Sequence, residues 1–269
     1  RGSLRGDHDA VPRRRRLIVP ELSPESSWSA AVDLGARGRY ADAADLLDTL
    51  TARGVRWSSL SLSTLASHRR QIGDVTEAAR LDAASLRDAT DEESRADALV
   101  GLAADAVAAG DAKAARERHR AAERDARAAW RTLTRWHWVG AELSLLVGDR
   151  DAAADHAHAA LKACGGRSPR HVAKTRIVLA AVTGDVAGLD AVSATLADEG
   201  WVTLAWPLAL VAADHAGAES PPWLGSAWEA GLRAVDVIEV GLPIAQRAAW
   251  QAHPGVRRLR EEGSHSGGG

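Results

Sequence analysis

The stretch Leu99-Val-Gly-Leu-Ala-Ala-Asp-Ala-Val-Ala-Ala-Gly110-Asp-Ala-Lys-Ala-Ala115 decides the fold. Leu99, Leu102, Ala103, Ala106 and Val107 fall on one stripe at helical spacing. Gly110 follows, and glycine readily takes the left-handed conformation that ends a helix. Asp111 can cap a second helix through its side-chain oxygen. Ala115 is small enough to let two helices approach closely. The reading is a helix, a tight turn, and a second helix folded back on the first.

The unit recurs. Gly38-Arg-Tyr-Ala-Asp-Ala43, Gly73-Asp-Val-Thr-Glu-Ala78 and Gly148-Asp-Arg-Asp-Ala-Ala153 follow the same pattern, and Gly184-Asp-Val-Ala-Gly-Leu189 is a degenerate copy. Successive glycines lie 35, 37, 38 and 36 positions apart. Seven residues before each of the first four glycines stands an alanine: Ala31, Ala66, Ala103 and Ala141. The fifth copy has Ile177 there. After the first turn, Ala43, Leu46, Leu47 and Leu50 make a second stripe. One helical hairpin buries too little apolar surface alone, so stacked copies must share a continuous core.

On these residues the chain resembles the tetratricopeptide repeat family over roughly 26–199. The likeness is strongest around Gly73, Gly110 and Gly148. The chain departs from the family pattern in three ways. Leu mostly replaces the aromatic near the repeat start, the Tyr after the glycine survives only as Tyr40, and the terminal Pro is missing. The resemblance implies an all-α, right-handed superhelical solenoid of about five to six antiparallel helix pairs. It also implies a concave groove lined by the first helix of each pair.

Segment boundaries follow from the same signals. Residues 1–24, with Pro12, Pro20, Pro24 and the run Arg13-Arg-Arg-Arg16, read as a flexible basic arm. A repeat domain is expected over 25–253, with helix pairs near 26–37/41–53, 58–72/75–89, 92–109/112–129, 131–147/151–164 and 169–183/186–199. Within it, 201–253 reads as divergent capping helices near 202–216, 222–236 and 243–252, the first containing Pro207. Residues 254–269 read as a flexible tail.

Composition narrows the function. The formal net charge of −2 argues against a general polyanion binder. Charged residues make up 26%, as in a soluble globular protein. No apolar run approaches the roughly 20 residues needed to cross a bilayer, so no membrane partner is expected. The N-terminal arginines have no long apolar run behind them, so no signal peptide is read. Cys164 is the single cysteine, which fits a reduced, cytoplasmic setting and excludes an internal disulfide framework. Phe, Met and Asn are absent, Arg far outnumbers Lys, and Ala is abundant, an alphabet expected of a GC-rich, actinobacterial genome. Ten Trp must therefore supply nearly all large aromatic packing, so a Trp here is first a core residue.

Chemistry-bearing motifs are weak. There is no Gly-rich phosphate loop, no His-Glu-x-x-His and no Gly-x-Ser-x-Gly. His156 and His158 point about 200° apart on a helix and cannot share a metal from one regular helix. Cys164 lacks an elbow or orienting acid and reads as a helix-end residue. The expectation is a non-catalytic protein with no cofactor and no metal site.

By the resemblance, the inner surface includes Trp28, Ser63, Ser67, Arg70, Val100, Ala104, Val107, Arg135, Trp138, Glu142, Leu145, His171, Lys174 and Val178. Of these, Arg70, Val107, Arg135, Trp138, Glu142, His171 and Lys174 are the expected partner-binding set. Aromatics and arginines most often dominate interfaces. Trp136 and Trp138 cannot face the same way, so at least one belongs to the core. With no Asn in the chain, the family's Lys/Asn clamp for a peptide carboxylate terminus is not expected. The main functional expectation is an adaptor or scaffold that binds a protein, as a peptide or helix, in the concave groove. The alternative is a regulatory module of a transcription or signalling system whose Arg13–Arg16 arm touches nucleic acid.

Overall fold

Glycine ends one helix and aspartate starts the next, as the repeat pattern requires. Gly38, Gly73, Gly110, Gly148 and Gly184 all have φ between 74° and 88°. Asp74, Asp111 and Asp149 accept hydrogen bonds from the backbone N–H groups of Glu77, Ala114 and Ala152 at 3.3, 2.9 and 3.0 Å. Ala31, Ala43, Ala66, Ala78, Ala103, Ala115, Ala141 and Ala153 are all 0% exposed, so both small positions of the repeat lie at helix–helix seams. The fifth turn departs. Asp185 accepts from Ala187 N–H inside the turn, and the next helix begins only at Leu189, after Gly188.

The computed structural model describes residues 22–216 and 221–266, with side chains as far as 263. Among them are fourteen helices and no strand. They are α1 (Pro24–Ala36), α2 (Tyr40–Thr51), α3 (Val55–Gln71), α4 (Val75–Asp88), α5 (Glu92–Ala108), α6 (Ala112–Ala126) and α7 (Trp130–Leu146). Then come α8 (Arg150–Cys164), α9 (Pro169–Thr183), α10 (Leu189–Glu199), α11 (Val202–His215), α12 (Leu224–Gly241), α13 (Ile244–Ala252) and α14 (Pro254–Ser266). The protein is an all-α helical repeat solenoid in which each helix packs on its successor. The odd-numbered helices α1, α3, α5, α7, α9 and α11 also pack in series, which makes them one layer.

The stack closes on itself. α11 touches α1, and α12 touches α2. Thr203 Oγ1 donates to the Ala36 carbonyl at 3.1 Å. Ala36 is buried with Trp201, Leu204 and Leu208. Tyr40 and Ile72 share a core with Val235, Ile238, Trp250 and Leu259. At Gly241 any Cβ would lie 2.0 Å from the Gly38 carbonyl oxygen, so only glycine lets α12 come this close to the first turn. The concave inner face is thereby ringed by helices, because an end pair with an unshared apolar face gains most by covering the other end.

α11 is the closing element. Its sequence, VTLAWPLALVAADH, is apolar on nearly every side, the signature of a helix buried between two layers. Pro207 sits inside it and cannot donate a backbone hydrogen bond to Thr203. The expected flexible tail is also corrected. Residues 254–266 form α14, with Val256 and Leu259 fully buried against α11 and α12. Val256 and Leu259 are a single apolar pair at spacing three, too short a stripe to mark a helix by periodicity. Most of the N-terminal arm, including Arg13–Arg16, lies outside the described residues.

Leu259→Ala is expected to lower unfolding free energy by about 2–5 kcal/mol, measured by urea denaturation. A loss under about 0.5 kcal/mol would return α14 to the status of a loose tail.

Candidate functional site: the inner channel

The odd-numbered helices surround two joined cavities. The larger has a volume of about 320 Å³. Its wall takes Trp28 and Val32 from α1, Ser67, His68 and Gln71 from α3, and Arg131, Arg135 and Trp138 from α7. α9 contributes Arg170, His171 and Lys174, and α11 contributes Leu204, Trp206 and Pro207. The smaller, of about 230 Å³, adds Arg70, Val100, Ala104, Glu142 and His253. Ser67, Gln71, Arg135, Trp138, Lys174 and Trp206 line both, so the two are lobes of one channel.

Most of the expected groove residues meet there. Arg135, Trp138, His171 and Lys174 line the larger lobe, and Arg70 and Glu142 line the smaller. Val107 does not line the channel, which corrects its expected place. It sits in the last turn of α5 and packs with Ala106, Ala115 and Leu143 on the α6 and α7 side. Val178 likewise packs on Ala141, Ala153 and Val182. Trp136 and Trp138 are both buried, but Trp136 packs away from the channel: its ring stacks on His119 at 4.2 Å, and its Nε1 donates to the His119 carbonyl at 2.8 Å. Sequence reasoning missed Arg170, His68 and Trp206. The all-round apolar character of α11 was the one signal pointing to Trp206.

The channel's cations divide into held and unheld. Asp97 is buried behind the α7 wall and pairs with both Arg131 and Arg135. Burial pushes its carboxyl up, but these two guanidinium groups win and hold it below its ordinary range. Arg70 is clamped harder. Its Nη2 and Nε reach Asp82 and Asp105, each at 2.6 Å, and Nη2 also donates to the Gly101 carbonyl at 3.2 Å. A Cβ at Gly101 would lie 2.2 Å from Asp82 Oδ2, so the glycine makes room for this clamp. Burial raises the Asp82 carboxyl despite Arg70, and Asp105 adds to the rise. Arg70 thus ties α3 to α4 and α5 through its Nε and Nη2 donors.

The aromatic wall carries other cations on its faces. Trp138 donates Nε1 to Thr175 Oγ1 at 2.9 Å, stacks with His171 at 5.3 Å, and lies 4.3 Å from Lys174 Nζ. Trp28 donates Nε1 to Thr64 Oγ1 at 3.0 Å and carries Arg131 at 5.0 Å. Burial lowers Lys174 to about 8 against the pull of Glu142. His68 and His171 are each lowered to about 3, first by burial and then by Arg170. Burial also lowers Arg170, whose Nε has no hydrogen-bond partner.

The remaining candidates lie apart from the channel. His137 Nδ1 and His156 Nδ1 are 3.1 Å apart at the α7–α8 seam, while His158 is exposed. Cys164 is buried, and its Sγ lies 3.8 Å from the Ser168 carbonyl. Among the described residues no three His, Cys, Asp or Glu side chains are grouped to hold a metal ion, and no helix is long and apolar enough to cross a membrane.

No family model and no curated protein matches the chain. Among solved structures, the crystal structure of BtubC (BKLC) from P. vanneervenii is similar to it. That match has 14% identity and a TM-score of 0.40, and it covers 93% of this chain and 94% of that one.

The buried histidines set a pH dependence. In the unfolded chain His68 and His171 gain a proton near pH 6.5, but in the folded chain only near pH 3. Between those values the unfolded state binds more protons, so stability falls as pH drops. The slope is up to about 1.4 kcal/mol per pH unit for each histidine. Urea unfolding between pH 7 and 4.5 is expected to show this loss, and His68→Gln and His171→Gln should each flatten it. An unchanged slope in both variants would place their imidazoles in contact with water.

Proposed function

We propose that this chain is a non-catalytic interaction module whose inner channel takes a short segment of a protein or peptide partner. One observation carries the reading: Trp28, Trp138 and Trp206 share a single cavity wall with Arg131, Arg135 and Lys174. Aromatic and arginine side chains supply most of the binding energy at interfaces, in small, well-packed clusters. Glu142 is the one carboxylate in the described lining, so a two-carboxylate acid–base pair has no second member.

The channel's dimensions restrict the guest. Lobes of about 320 and 230 Å³ fall at the small end of ligand-pocket volumes, which suits a few residues rather than a whole helix. Contact between α1 and α11 removes the long open groove that an extended amphipathic helix needs.

A library of short peptides titrated against wild type, Trp28→Ala and Arg135→Ala tests the proposal. Arg135→Ala leaves Asp97 paired with Arg131, so the fold is expected to persist. Saturable binding in the wild type, weakened at least about tenfold in both variants, is the expected result; tenfold corresponds to about 1.4 kcal/mol. Equal affinities in all three proteins would remove the channel from the binding surface.

A further inference from the structure

We propose that the larger lobe holds a site for an oxyanion, a carboxylate or phosphate group, built by Arg170 and Lys174 with Arg131 and Arg135. The inference builds on the reading of the channel as a guest site and assigns the chemistry of the guest's head group.

The charge balance of the lobe is the first ground. Four full cations line it: Arg131, Arg135, Arg170 and Lys174. The carboxylates within ion-pair distance of these four are Asp97, shared by Arg131 and Arg135, and Glu93. Glu93 lies 3.2 Å from Arg131 and is itself shared with Arg56 at 3.1 Å. Among the described residues Arg170 and Lys174 form no ion pair. Asp33, the acid that acts on Arg170 from a distance, is itself bound to Arg37 at 2.8 Å. Glu142, which acts on Lys174, faces the adjoining lobe. A buried cation without a partner costs several kcal/mol, and a bound anion is the usual way such a cost is offset.

The hydrogen-bond pattern is the second ground. Arg170 Nε is buried with no acceptor. The groups around it are no help. Tyr40 hydroxyl donates to Gln71 at 2.8 Å, burial raises its pKa and keeps it neutral, and His68 is neutral too. Lys174 Nζ lies over the face of Trp138 at 4.3 Å. Arg170 and Lys174 are four apart on α9, so their heads share one face, and like charges at that spacing destabilise a helix. Local stability alone does not favour this pair, whereas recognition of a planar or tetrahedral oxyanion does. Trp28 and Trp206 on the same wall would pack the apolar body that carries the anion.

Two sources can supply the anion, a free small acid or an acidic or phosphorylated side chain of a peptide, and the experiment separates them. Tryptophan fluorescence titrations at constant ionic strength would use inorganic phosphate, benzoate, the neutral benzamide, and short peptides containing Glu or phosphoserine. Phosphate or benzoate is expected to saturate the wild type while benzamide does not, and Arg170→Gln and Lys174→Gln should each weaken binding at least about tenfold. If either variant fails to fold, the wild type suffices. Lys174 is one of three lysines, and phosphate should protect it from trinitrobenzenesulfonate while Lys113 and Lys162 stay reactive. Absence of saturation by every anion, or absence of protection, overturns the proposal. Peptide binding that is equal in wild type and both variants overturns the oxyanion site and leaves the interaction module standing. Binding of free acids alone, with no peptide bound, upholds the oxyanion site and removes the protein-partner reading.

Discussion

An end pair in a stack of helical hairpins has one apolar face with no neighbour. In this chain the two end faces cover each other, and everything about the interior follows from that contact. Tyr40 and Ile72 from the first hairpins enter the same core as Ile238, Trp250 and Leu259 from the last helices. Gly241 brings α12 to within van der Waals reach of the Gly38 carbonyl. Because the seam joins residues some 200 positions apart in the chain, its formation carries a large loop-closure cost. Apolar burial along α11, α12 and α14 must outweigh that cost.

Closure changes the electrostatics inside. An open groove would leave Arg131, Arg135 and Lys174 in high-dielectric water, where pairing contributes little. Once α11 covers them, each cation needs a partner or becomes expensive. Some partners come from the fold: Asp97 for the two arginines of α7, and Asp82 with Asp105 for Arg70. Arg170 and Lys174 are left over, and the same closure lowers the basicity of both. The interior is thus rigid where guanidinium groups are clamped and chemically unsatisfied at one place on α9.

Much of the candidate site was legible, for a specific reason. Helical periodicity assigns a residue to a face once the turns are known, and Gly-Asp turns marked these sharply. Which face turns inward came from the tetratricopeptide resemblance, and Arg135, Trp138, His171 and Lys174, placed inward by it, line the larger lobe. Val107 failed because the end of a helix belongs to whatever neighbour caps it, here Leu143. Arg170 was missed because it stands beside Pro169 in the first turn, where periodicity has little to act on. The clamped state of Arg70 was illegible as well, since Asp82 and Asp105 lie on two other helices.

The sequence by itself determined the repeat helices over 26–199, their turns and their pairing. These rest on interactions within about 40 residues: a left-handed glycine, an aspartate cap, an alanine at a close crossing. Tertiary structure alone decided that the stack closes, that residues 254–266 join the core, and which cations keep a counter-charge. Those outcomes depend on contacts between the two ends of the chain, where no local spacing records which surface will meet which.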